Sequence, residues 1–125
     1  MYILYISHFF YIFAYMTNLE FLLSLKEGDF VTSVDITGRT LPLIACFHRF
    51  DAEEDKRFTD EYHNVEAKFF LGHMRRFRVN DTFGCNDSNK MLRKPTMEEM
   101  FQLSDAIRKE GYVYDRKSKT LIKVR

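Results

Sequence analysis

Residues 94–124 read KPTMEEMFQLSDAIRKEGYVYDRKSKTLIKV, and the fold is decided here because several independent local signals agree. Pro95 biases Lys94 away from helix, and Thr96 with Glu99 forms the T-x-x-E pattern of a capping box, so a helix starts at Thr96. Met97, Met100, Leu103, Ala106 and Ile107 recur at helical spacing and predict one apolar packing face, while Glu98, Gln102, Asp105 and Lys109 face water. Gly111 stands where a left-handed residue ends a helix at little cost, which folds Tyr112 back on Ile107. The β-branched and aromatic runs 112–115 and 120–124 flank a polar loop, Arg116-Lys117-Ser118-Lys119, and predict a β-hairpin.

Upstream of this module the pattern is β. Residues 19–25 are a short apolar run, and Lys26-Glu27-Gly28-Asp29 supplies a turn before a strand over 30–35. A turn at 35–39 leads to a second strand over 41–50. Leu41, Leu43, Ala45 and Phe47 lie on one side of it and Ile44, Cys46, His48 and Phe50 on the other, which predicts a central position in the sheet. Pro42, lacking an N–H, belongs near that strand's start. Residues 51–61 are acidic and form a loop with at most one helical turn. Strands follow over 65–74 and 76–79, and residues 80–89, rich in Asn, Asp and Gly, are the longest irregular stretch.

The whole therefore reads as one α+β domain over residues 16–125, a small, bent antiparallel sheet or SH3-like, partly open barrel with a C-terminal helix and β-hairpin. The chain has 125 residues, enough for a single core. Residues 1–15, MYILYISHFFYIFAY, carry no charged side chain and differ from all that follows. They are short for a membrane span and lack a signal peptide's basic start and cleavage pattern, so the favoured expectation is an upstream extension ahead of a start at Met16. If the segment is made, it packs as an extra apolar element or anchors the chain to a membrane.

The net charge of +1 hides an asymmetry: residues 1–67 hold 5 Lys/Arg against 11 Asp/Glu, and residues 68–125 hold 14 against 7. A basic half can meet an anionic partner or the acidic half of its own fold. The clearest nucleic-acid candidate is Arg75, Arg76 and Arg78, interleaved with aromatics and preceded by Lys68, Phe69 and Phe70, since cations neutralise phosphate and exposed rings stack on bases. The hairpin's Lys117 and Lys119 would extend it. The same pattern arises when a strand simply turns its Phe residues inward and its Arg residues outward.

No catalytic or metal-binding residue is assigned. Cys46, His48, His63, His73 and Cys85 lack the paired spacing of a zinc site, and the acidic run Asp51, Glu53, Glu54, Asp55 lacks the alternating ligands and central Gly of a calcium loop. No Ser or Cys stands in a nucleophile context. Cys46 and Cys85 read as buried free thiols of a reducing compartment, here the cytoplasm.

The segments 25–31 and 95–124 resemble small uncharacterised proteins of gut Bacteroidales and their phages, in which a Thr-capped, Glu-rich helix leads into Gly-Tyr-x-aromatic-Asp and a Lys-rich hairpin. The resemblance implies a β-rich body, SH3-like, closed by the helix and hairpin, and carries no activity with it. The expected function is a non-catalytic binding or accessory protein of a phage or mobile element, with a protein partner and no cofactor. A nucleic-acid-binding module using the basic second half is the alternative, and a membrane-anchored small protein a further one.

Overall fold

The computed structural model describes residues 16–56 and 61–124; the expectations for residues 1–15 lie outside them. Five strands form one antiparallel sheet in the order β4-β3-β2-β1-β5: β1 Phe30–Asp35, β2 Leu43–Arg49, β3 Tyr62–Leu71, β4 Phe77–Asn86 and β5 Lys90–Arg93. Helix α1 (Asn18–Ser24) precedes the sheet, and the single turn α2 (Ala52–Asp55) lies between β2 and β3. After β5 come α3 (Met97–Lys109) and a separate hairpin of β6 (Tyr112–Asp115) and β7 (Thr120–Lys123). The α+β class and the helix–hairpin ending are as the sequence predicts. Among the described residues no ladder joins the edges β4 and β5, so the sheet is open.

Strand β2 occupies the centre, as its two apolar faces require. Its alternation does not run unbroken. Pairing with β3 shifts between Cys46 and Phe47 and again between Phe47 and Arg49, so β3 has an extra residue at Lys68 and β2 one at His48. Phe50 consequently packs with Leu43, Ala45 and Phe47 rather than with Ile44 and Cys46, which corrects the simple two-sided reading. On the other side of β3, the pairing with β4 lapses between Ala67↔Asp81 and Phe69↔Val79, where Asn80 has φ +51°. The sheet is creased there, and Phe70 returns to the face of Val65 and Ala67.

Three elements go beyond the sequence reading. Strand β4 continues through Asn86, where the polar run 80–89 predicts irregular chain; as an edge strand it tolerates polar residues outward while Phe83 and Cys85 point into the core. Strand β5, paired with β1, is the second, and only residues 87–89 connect it to β4. The short apolar run ahead of the sheet is helix α1, with a full capping box between Thr17 and Glu20, the same T-x-x-E device that starts α3.

One apolar cluster lies on each face of the sheet. The first gathers Leu22 of α1 with Val31, Phe47, Val65, Phe70, Phe83 and Leu92, so that both edge strands feed one core. The second places Ile44, Cys46, Phe69 and Leu71 beneath Leu103 and Ile107 of α3, with Phe30, Tyr112, Tyr114 and Leu121 packed around them. Gly111, at φ +82°, turns the chain from α3 into β6, and its N–H donates to Arg108 O. The hairpin is thereby returned across the second cluster.

Candidate functional site

The packing of α3 leaves part of its apolar surface uncovered. At 3.6 residues per turn, Met97 and Phe101 lie about 120° and 160° round from Leu103, so neither can reach the core that Leu103 and Ile107 fill. Met97 is 77% exposed and Phe101 68%, which corrects the expectation that Met97 packs. Its place in the buried stripe is taken by Glu99. That carboxylate accepts two bonds from Arg93 at 2.8 Å each, one from Thr32 Oγ1 at 3.0 Å and one from Thr96 N at 2.9 Å. These bonds outweigh its burial and hold its pKa down to about 2.

Beside Met97 and Phe101 a groove of about 460 Å³ runs between α3 and the hairpin. Phe30, Leu103, Ile107 and Tyr114 form its floor, Met100 and Ser104 its helical wall, and Arg116 its one charged end. Arg116 makes no ion pair among the described residues. The groove is preformed and apolar, and unbranched Met side chains line it, so it can adapt to more than one apolar shape.

The residues singled out for nucleic acid fall in separate places. Arg75, with φ +65°, is half-buried: it donates to Pro42 O at 2.6 Å and to Gln102 Oε1 at 3.0 Å, tying the β3–β4 turn to the start of β2 and to α3. Arg76 and Arg78 are exposed at the β4 edge, and Arg78 alternates with Phe77 and Val79, so it points away from the cluster those two join. Lys117 is exposed in the hairpin loop. The Lys119 stem lies against Gly28, at the other end of β2, where Gly28 N donates to Phe47 O. Pro42 and Phe47 are five residues apart on an extended chain, about 17 Å. The structure therefore brings Lys119 into the neighbourhood of Glu27 and Lys68, at the opposite end of β2 from Arg75, while Arg78 points to the face of the sheet away from the hairpin. Phe69 and Phe70 are buried and offer no ring to a base.

A second cleft, about 520 Å³, opens on the other side of the hairpin. Phe69, Tyr112 and Leu121 floor it, and Lys68, Glu27 and His48 rim it. Its charges already answer one another: Lys68 Nζ lies 3.2 Å from Glu27 and donates to Lys119 O at 2.8 Å, and His48 is 3.4 Å from Glu27. Here one acidic group of the first half, Glu27, meets Lys68 of the second.

The soft side chains are likewise committed to the fold. Cys46 and Cys85 are buried, unbridged and in opposite clusters, and burial pushes their thiols up to about 11 and about 12. His63, buried, lies between Asp55 Oδ2 at 2.9 Å from Nδ1 and Asp87 Oδ2 at 3.1 Å from Nε2. Burial works against its charged form, but the two carboxylates prevail and raise its pKa. Among the described residues, no three His, Cys, Asp or Glu side chains converge as metal ligands, and no helix is long and apolar enough to cross a membrane. No protein family, curated protein or solved structure compared with this chain matches it.

Proposed function

We propose that this chain is a non-catalytic protein-binding domain: an SH3-like body of five strands whose α3 face takes up apolar side chains of a partner protein. The strand order β4-β3-β2-β1-β5, with three residues joining the two edges and a single core fed by both, supports the SH3-like reading. One observation carries the binding reading: Met97 and Phe101 stand exposed, one turn apart, beside an apolar groove whose floor is part of the core. Large apolar side chains grouped in this way mark interaction surfaces more than isolated exposed ones do. Arg116 at the groove's end favours a partner segment that carries a carboxylate next to its apolar residues. The burial of both thiols, which keeps them from solvent, supports a non-catalytic reading of the cysteines.

Panning a displayed peptide library against the full-length protein tests this. Peptides rich in apolar residues with an acidic position should be enriched on the wild type and lose at least tenfold in recovery on Phe101→Ser. No enrichment, or equal enrichment on both proteins, contradicts the reading.

A further inference from the structure

The α3 face also has the pattern of a surface that fits itself. Met97, Phe101, Ser104 and Arg108 follow one another at intervals of four, three and four residues, which keeps them on one stripe of the helix, and all four are exposed. The stripe alternates in size: Phe101 is a ridge, and Ser104, one turn on, is a hollow lying in both the α3–hairpin groove and a shallower one on the far side of Phe101. Its charge changes along its length as well. Glu98 stands at the N-terminal end and makes no ion pair among the described residues, and Arg108 and Lys109 stand at the C-terminal end, where each pairs with Asp105 on the exposed surface of the same helix.

We propose that a second copy of this chain occupies the α3 face, its α3 antiparallel to the first about a two-fold axis between Gln102 and Leu103. The inference rests on the reading of α3 as a protein-binding face and names its partner. A two-fold axis there sets residue i opposite residue 205 − i. Phe101 then faces Ser104 of the second copy, so each ridge fills the other's hollow, and Met97 lies against the stem of the second copy's Arg108. Glu98 falls opposite Ile107 of the second copy, within one turn of that copy's Arg108 and Lys109, whose surface pairs with Asp105 leave them able to share a second carboxylate. Acid thus lies near base at both ends of the interface, and the antiparallel arrangement sets each helix's positive end against the other's negative end. A parallel pair has none of these matches, because it sets Phe101 on Phe101 and Glu98 on Glu98. The contact centres on one 13-residue helix, about 20 Å long, so the interface is smaller than that of an obligate dimer and the association is reversible.

Sedimentation velocity of the full chain over roughly 5–500 µM tests the proposal, since small, partly apolar interfaces associate in the micromolar range. The wild type should pass from monomer to dimer across the series. Glu98→Arg and Arg108→Glu, each of which sets like charges together twice per dimer, should each weaken association at least tenfold, and the double variant should restore it to within about threefold of wild type. These exposed positions leave folding intact, so the loss and the rescue both remain readable. A wild type that stays monomeric at every concentration overturns the proposal, as does association that neither reversal weakens or that the double variant fails to restore. If the chain is monomeric yet peptide capture still depends on Phe101, the self-pairing fails while the binding reading stands.

Discussion

Glu99 carries more of this fold than its place in a capping pattern suggests. The residue is 7% exposed, and its carboxylate joins three elements: Thr32 of β1, Arg93 of β5 and the start of α3. Removing one member of a buried ion pair costs about 3–5 kcal/mol, and the figure falls when the partner keeps some water. The Arg93 side chain is 35% exposed. Glu99→Gln should therefore lower unfolding free energy by about 2–3 kcal/mol in urea titrations. Because the folded pKa lies below the ordinary carboxylate value, this stabilisation is complete above pH 4.5 and lost as pH falls towards 2, so wild type and variant should converge in acid. His63 has the opposite sign. Its pKa is raised in the fold, so its bridge between Asp55 and Asp87 stabilises fully below about pH 6.5 and fades as pH rises through the folded value. His63→Gln should cost more at pH 5.5 than at pH 8.5, as read from denaturation midpoints at the two pH values.

At the level of elements, α3 divides into a face that folds the chain and a face that does not. Leu103, 1% exposed, is held among Ile44, Phe69 and Ile107; Leu103→Ala should cost about 2–5 kcal/mol. Met97→Ser and Phe101→Ser should each stay within about 0.5 kcal/mol of wild type at low protein concentration, since surface changes away from caps and cores do. Midpoints that fall equally for all three would place Met97 and Phe101 in the core. The boundaries of α3, its caps and the hairpin were legible because each rests on local chemistry: Thr96, Glu99, Pro95 and Gly111 act within a turn of where they stand. Which face is covered is also written in the helix angles. Met97 shares the stripe's chemistry, yet it lies too far round from Leu103, and Glu99 is buried in its stead because it meets Thr32 of β1, which is remote in sequence, and Arg93 of β5, a strand the sequence does not announce. Helix α1 carried a readable T-x-x-E signal in Thr17 and Glu20 on a run of only seven helical residues. Strand β5 carried none, since KMLR becomes a strand only through its pairing with β1.

For the molecule as a whole, the basic side chains singled out in the sequence are placed apart by the fold. Glu27 meets Lys68 and His48, Arg75 is spent on carbonyls and Gln102, and Arg78 lies on β4 while Lys119 lies in the loop of the separate hairpin. A linear charge count cannot foresee this, because the crease at Lys68 and Asn80 and the return of the hairpin decide which side chains meet. Among the apolar side chains the fold leaves exposed, Met97 and Phe101 of α3 stand beside a preformed apolar groove, and the central claim is that this edge is a binding face. The ε-methyl signals of the methionines report on it directly, with Met97 and Met100 at the face and Met74 and Met91 exposed elsewhere as internal controls. In a methyl-labelled, full-length protein titrated with a peptide recovered by panning, the Met97 and Met100 signals should shift saturably while Met74 and Met91 stay fixed. Shifts confined to Met74 or Met91, or no saturable shift at Met97 and Met100, would contradict the account.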